Sequence, residues 1–99
     1  MAPPFRLLTV PAFDAALAAI ERDDPLKYRK VLKTVRLLRD QGPSYPGLQA
    51  HRYLSLAGPR SEPLWEVCVE NRTPGAWRLW WGCGPGADAI TLVMVGPHP

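Results

Sequence analysis

The sequence predicts an α+β fold in which an N-terminal strand and an α-helical hairpin pack on a mainly antiparallel four-stranded sheet, in the order β-α-α-β-β-β. Three observations predict it: a short β-rich segment near the N-terminus, two adjacent stretches with helical periodicity, and alternating segments separated by turn residues in the second half. With 99 residues, 46% hydrophobic and 21% charged, residues 1–99 are expected to form one domain with a single core.

The N-terminal half is predicted to contain one strand and two helices. The segment Phe5–Val10 is rich in strand-forming residues, and residues 12–22 carry apolar side chains at helical spacing through an alanine-rich stretch. Asp24 is a good N-cap, Pro25 suits the first turn of a second helix, and Gly42-Pro43 would end that helix. Because almost nothing separates the two helices, we expect a hairpin.

The second half is predicted to form the sheet. Leu48–Leu56 is interpreted as an entering strand, and three β-rich runs follow it as an antiparallel meander: Leu64–Glu70, Ala76–Gly82 and Ala89–Val95. The alternation in Leu64–Glu70 is clean, which predicts that one face of this strand lies in the core and the other does not. Of the four tryptophans we expect at most one to be exposed, with Trp80 the candidate.

The charge of the chain is unevenly distributed. The net charge is +3, yet residues 25–60 hold eight Lys or Arg against one acid, while the remainder holds four basic and eight acidic residues. A segregated basic half is typical of a protein that meets phosphates or an acidic partner. A solvated helix face would explain the same charges.

Polar residues in the predicted strands could carry chemistry if they converge on the non-core face. His51, Glu66, Arg78 and His98 would supply two imidazoles, a carboxylate and a guanidinium, which are the parts needed for acid–base cleavage of a phosphodiester. One group would take the 2′-hydroxyl proton, one would protonate the leaving oxygen, and the arginine would stabilise the charged intermediate. Each has an ordinary alternative: Arg78 as a cross-strand partner of Glu66 or Glu70, and the histidines as surface residues.

Several other classes of protein are disfavoured by the sequence. No apolar run approaches the ~20 residues that span a bilayer, and the start lacks the pattern of a signal peptide, so we expect a cytoplasmic protein without a membrane partner. Cys68 and Cys83 lack metal-ligand spacing and are expected to be free thiols. A metal on His51 and His98 would lack further ligands, so no metal or other cofactor is expected.

Local motifs make the chain resemble the RelE/ParE-like superfamily of type II toxin–antitoxin toxins over nearly its whole length. The matching motifs are Pro46-Gly-Leu48 before His51, Leu64-Trp-Glu-Val67, Trp77-Arg-Leu79 in place of the family's Tyr-Arg-Leu, and Val95-Gly-Pro-His98. It is more closely similar to a short uncharacterised subgroup with a His-x-Tyr-x-x-Leu run, an Asn-x-Thr-Pro-Gly-Ala turn and a terminal Pro-His-Pro, matched here by His51–Leu56, Asn71–Ala76 and Pro97–Pro99.

The resemblance implies an α+β toxin fold, an antitoxin partner and, in one branch of the family, cleavage of mRNA on the ribosome. Of that branch's catalytic residues only Arg78 carries over directly. Glu66 and Cys68 stand where the middle-strand lysines are expected, and His98 stands near a basic position of the family. A histidine-based variant would use His51 and His98, with Glu66 orienting a partner or acting as the base.

Three hypotheses about function follow. The first is an mRNA endoribonuclease that inhibits translation, with His51, Glu66, Arg78 and His98 as catalytic residues. The second is a non-enzymatic protein-binding toxin, of the gyrase-poison type or a degenerate scaffold, and the third is an RNA-binding domain without cleavage. The residues expected to contact RNA are Lys30, Lys33, Arg52, Tyr53, Arg60, Arg72 and Trp80.

Overall fold

The structure, a computed structural model, describes residues 5–58, 61–70 and 75–97. Within them it has two helices, five strands and one short 3-10 turn. The turn is Pro46–Leu48. The helices and strands, in chain order, are β1 (Arg6–Thr9), α1 (Pro11–Asp23), α2 (Pro25–Gln41), β2 (His51–Ala57), β3 (Pro63–Cys68), β4 (Trp77–Cys83) and β5 (Ala89–Pro97).

Local sequence sets the ends of the two helices. The backbone N–H of Asp24 donates to the carbonyl of Ile20 at the end of α1, and its side chain accepts from the backbone N–H of Lys27 at 3.1 Å at the start of α2. One residue therefore serves both helices, and the predicted hairpin is confirmed. α2 ends at Gln41 and is capped by Gly42, whose φ of +82° suits a residue without a Cβ. In the part of the chain that the structure describes, no helix is long and apolar enough to cross a membrane.

The five strands form one sheet in the order β1-β5-β4-β3-β2. Neighbouring strands are antiparallel except for β1 and β5, which are parallel. The predicted class and element order are confirmed. The sheet has five strands instead of four because β1 adds to the four strands of the second half, and it is mixed because β1 pairs with β5 in parallel.

The main core lies between the helical hairpin and one face of the sheet. Its fully buried members include Phe13, Val31 and Leu38 from the helices, with Val67 and Leu79 from the sheet. Alternation places these strand residues on the helix-facing side, as predicted for β3.

The second face of the sheet is also buried around β3 and β4. Leu64, Glu66, Cys68 and Trp80 are all buried, so the expectation that one face of β3 lies outside the core is wrong. One reason is that Tyr53 from β2 packs edge-on against Trp80, with ring centroids 5.6 Å apart. The polar residues of this face are therefore held in a packed environment.

Candidate functional site

Glu66 is the centre of the candidate site. It lies in the middle of β3, directly opposite His51 on β2 and Trp80 on β4. Residues that face each other across antiparallel strands project to the same side of the sheet, so the register brings the three side chains together. Glu66 is only 1% exposed. A carboxylate this deeply buried is costly unless its oxygens are paired.

The Glu66 carboxylate is surrounded by donors. Its Oε1 lies 2.9 Å from His51 Nε2 and 3.4 Å from Arg78 Nε. Its Oε2 accepts a hydrogen bond from Trp80 Nε1 at 2.9 Å. We call Glu66, His51, Arg78 and Trp80 the Glu66 cluster. Since Oε2 accepts a hydrogen bond and Oε1 lies within ion-pair distance of His51 and Arg78, the carboxylate is suited to orienting its neighbours.

His51 is the most accessible member of the cluster, with 54% of its side chain exposed. Its Nδ1 lies 2.9 Å from the carbonyl oxygen of Gln49, which can only accept. Its Nε2 faces the Glu66 carboxylate, which when ionised also accepts only. A carbonyl oxygen can only accept, so the contact with Gln49 places a proton on Nδ1, at an imidazole that is exposed to solvent.

Arg78 is held by the backbone as well as by Glu66. Its Nη1 donates to the carbonyl of Glu70 at 2.8 Å and to that of Trp77 at 3.3 Å. None of the described residues accepts a hydrogen bond from Nη2. The side chain is 19% exposed, so an anchored guanidinium retains one nitrogen for an external oxygen.

The structure brings together three of the four residues that are predicted to be catalytic, and their catalytic role stays a prediction. His51, Glu66 and Arg78 are in direct contact, and His98 lies outside the described residues. The alternative partners considered for Arg78 are both used, because it contacts the side chain of Glu66 and the main chain of Glu70.

The described residues that are predicted to bind RNA lie on three elements, α2, β2 and β4. Lys30 and Lys33 lie on α2. Arg52 is exposed and is opposite Trp65, which packs on the helix-facing core. Tyr53 is half-buried against Trp80. Arg60 and Arg72 lie outside the described residues.

The expected exposure of Trp80 is wrong. The side chain is 2% exposed because β4 lies in the middle of the sheet and the indole is placed between Tyr53 and Glu66. Its ring is thus unavailable for stacking on a base, and its contribution is a hydrogen bond to the central carboxylate.

Gln49 is a site residue that the sequence did not reveal. It has a left-handed backbone, with φ 51° and ψ 46°, and its carbonyl holds His51 Nδ1. Its side-chain oxygen lies 3.6 Å from the Cys68 sulfur. Its position, directly after the Pro46–Leu48 turn and two residues before His51, is the only signal that could have drawn attention to it.

Glu70 joins α2 to the end of β3. Its carboxylate accepts from Lys27 Nζ at 2.7 Å, from Lys30 Nζ at 2.9 Å and from the backbone N–H of Trp77 at 3.3 Å. The hydrogen bonds from Lys27 and then Lys30 are the main reasons that the pKa of Glu70 is lowered to about 2. Lys27 also lies 4.8 Å from the centre of the Trp77 ring. This network fixes the main-chain segment whose carbonyl holds Arg78.

Both cysteines lie among the described residues. Cys68 is buried and Cys83 is exposed, and both are free thiols. No group of three or more His, Cys, Asp or Glu side chains there is arranged to hold a metal ion.

Comparison with solved structures shows the fold. The chain matches the YoeB dimer from Staphylococcus aureus with a TM-score of 0.70 and 10% identity, over 97% of this chain and 99% of that one. It matches the YoeB/ParE toxin from Agrobacterium tumefaciens with a TM-score of 0.69 and 12% identity, over 96% and 100% of the two chains. The chain has the RelE/ParE-like toxin fold.

A third match is with an archaeal protein. The RelE-RelB complex from Pyrococcus horikoshii gives a TM-score of 0.66 at 14% identity, over 95% of this chain and 94% of that one. The sequence itself matches no protein-family model and no curated protein. The toxin fold implied by the sequence motifs is therefore confirmed by three-dimensional shape.

Proposed function

We propose that this chain is the toxin of a type II toxin–antitoxin pair and that it cleaves mRNA on the ribosome, in the cytoplasm, by acid–base chemistry. The observation that carries the proposal is the contact of an exposed imidazole and an anchored guanidinium with one buried carboxylate, Glu66. The toxin fold supports the same assignment.

The proposed reaction is attack of a ribose 2′-hydroxyl on the adjacent phosphorus, giving a 2′,3′-cyclic phosphate and a 5′-hydroxyl end. His51 donates a proton to the leaving 5′ oxygen. That oxygen takes the place of the Gln49 carbonyl oxygen at Nδ1 of His51. It displaces this contact, and not the contact between Nε2 and Glu66, because an interaction with a neutral carbonyl is weaker than one with a carboxylate. Arg78 Nη2 stabilises the charge on the non-bridging oxygens. His98 is the proposed base for the 2′-hydroxyl proton, and Glu66 orients His51 and Arg78.

The proposed partner is an antitoxin protein. Two of the structural neighbours are complexes of this kind, RelE-RelB from Pyrococcus horikoshii and YoeB-YefM from Staphylococcus aureus. The basic segment 25–60 has the charge expected of a surface that binds an acidic partner or RNA.

Tightly controlled expression in a bacterium, with mapping of mRNA 5′ ends, tests the proposal. The parent chain should arrest growth and create new 5′ ends. His51→Ala and Arg78→Ala should each lower cleavage by at least roughly 100-fold, as expected for loss of an acid or of a charge-stabilising group. The matched control is Arg22→Ala, since Arg22 is 72% exposed and pairs only with its neighbour Asp23 among the described residues. Melting curves of the purified variants would show that each is folded.

Two results would overturn the proposal. Folded His51→Ala and Arg78→Ala variants that cleave as well as the parent would show that the Glu66 cluster is not the active site. Growth arrest with induction of the DNA-damage response and without new 5′ ends would favour the protein-binding, gyrase-poison alternative.

A further inference from the structure

A cleft of about 510 Å³ opens between α2 and the end of β3. We call it the α2–β3 cleft. Its volume is in the range of sites that bind small organic molecules. Its walls include Lys30, Lys33 and Leu37 from α2, Tyr45 and Leu48 around the 3-10 turn, and Cys68 from β3.

The charged wall of the α2–β3 cleft favours an anionic occupant. Lys30 and Lys33 line it directly, and Lys27 lies beside them on Glu70. The single carboxylate in the wall, Glu70, is neutralised by its hydrogen bonds to Lys27 and Lys30. Three ammonium groups thus face one carboxylate, which leaves a surplus of positive charge, and the exposed Lys33 does not take part in the Glu70 pair.

Tyr45 gives the cleft an aromatic surface. Its side chain is 39% exposed, and its ring lies close over the backbone of Gly47. A Cβ added at Gly47 would be 2.8 Å from Tyr45 Cε2, which is closer than such atoms can approach. The glycine therefore allows the ring to lie against the turn and present its other side outward, as a base-stacking surface would.

Gln49 connects the cleft with the Glu66 cluster. Its side-chain oxygen is 3.6 Å from the sulfur of Cys68, a cleft residue, and its carbonyl is 2.9 Å from His51 Nδ1. A single residue thus separates the cleft from the proposed acid.

We propose that the α2–β3 cleft is a subsite for the nucleotide next to the cleaved phosphate. Tyr45 stacks on its base and Lys33 binds its phosphate. The inference rests on the proposed ribonuclease function and adds a substrate subsite to it.

Binding of a fluorescent single-stranded RNA made uncleavable by 2′-O-methyl groups tests the subsite. In fluorescence anisotropy, Tyr45→Ala should weaken binding roughly 5- to 150-fold, the range for loss of one base–aromatic stack, while Tyr45→Phe should bind like the parent. Lys33→Ala should reduce the slope of log affinity against log salt by about 0.7, the value for one phosphate contact on a single strand. Gly47→Ala should weaken binding with Tyr45 still present, because it displaces the ring.

The controls separate the subsite from the catalytic proposal. Arg22→Ala should bind like the parent, and His51→Ala should retain the Tyr45-dependent binding while losing cleavage. If the parent cleaves RNA but Tyr45→Ala and Lys33→Ala bind it unchanged, the subsite is wrong and the ribonuclease function stands. If binding depends on Tyr45 but no RNA is cleaved, the subsite stands and the catalytic proposal fails. An acidic peptide that occupies the cleft in preference to the RNA would overturn the subsite by assigning the cleft to a protein partner.

Discussion

At the scale of single residues, the buried Glu66 carboxylate determines the geometry of the candidate site. A charge in a packed sheet face is tolerated only with partners. Glu66 accepts a hydrogen bond from Trp80 and lies within ion-pair distance of His51 and Arg78. Each donor comes from a different position on a neighbouring strand. The carboxylate therefore holds the imidazole and the guanidinium at fixed positions, at a cost in stability if any partner is lost.

Replacing this carboxylate should destabilise the fold. Glu66→Gln keeps the shape but turns one acceptor oxygen into a donor that faces other donors, so the free energy of unfolding should fall by about 2–3 kcal/mol in urea denaturation. Asp88→Asn is the control, since Asp88 pairs with Arg6 where both side chains are more than half exposed. The free energy of unfolding should fall much less in this variant than in Glu66→Gln. Equal losses for the two variants would contradict a special role for Glu66.

At the scale of secondary-structure elements, Glu70 joins α2 to the sheet. Lys27 and Lys30 lie one helical turn apart and bind the two carboxylate oxygens. The same residue offers its carbonyl to Arg78. The position of α2 is thus coupled to the candidate site, and the α2–β3 cleft lies between them.

The ion pairs of Glu70 with Lys27 and Lys30 predict that the stability of the fold depends on pH. Hydrogen bonds from Lys27 and Lys30 lower the pKa of Glu70 from 4.5 to about 2. A carboxyl group whose pKa is lowered by folding stabilises the fold above its unfolded pKa and loses that effect as pH falls through its folded pKa. The stability difference between the parent and Glu70→Gln should therefore be constant above about pH 5 and shrink towards pH 2. Its upper limit is about 3 kcal/mol.

Urea denaturation at a series of pH values measures this difference. Asp40→Asn is the control, because Asp40 pairs with the adjacent Arg39 on the exposed surface of α2 and does not reach the sheet. A difference between the parent and Glu70→Gln that is unchanged from pH 5 down to pH 2 would contradict the assignment.

At the scale of the whole molecule, the order of strands separates a rigid centre from adaptable edges. β4 and β5 lie inside the sheet, whereas β1 and β2 are its edges. β2 pairs with β3 at His51–Tyr53 and again at Ala57, with an irregularity between them. His51 therefore lies on an edge strand, while its partner Glu66 lies on an inner one.

Hydrogen–deuterium exchange should reflect this arrangement. The backbone amides of Leu79–Trp81 in β4 should exchange at least roughly tenfold more slowly than those of Arg52–Leu54 in β2, because inner strands open only with larger parts of the structure. Faster exchange in β4 than in β2 would show that the order of stabilities is wrong.

The sequence determined the elements of this fold because their signals are local. Asp24, Pro25 and Gly42-Pro43 mark the helix ends through their own backbone and side-chain chemistry. The alternation of Leu64–Glu70 marks β3, and the toxin motifs of His51 and Trp77–Leu79 predict the fold. The contact of His51, Glu66 and Arg78 was also predicted, because side-chain alternation places them on one face.

Only the tertiary structure decided what covers that face and which groups are paired. Three features depend on how β2, the 3-10 turn and α2 pack around β3. They are the burial of Trp80, the contact of the Gln49 carbonyl with His51 and the cleft beside Lys33. These contacts join residues whose spacing in the chain has no fixed period, so no sequence pattern reports them. Burial and pairing are properties of the assembled layers, and they determine which polar residues remain available for chemistry.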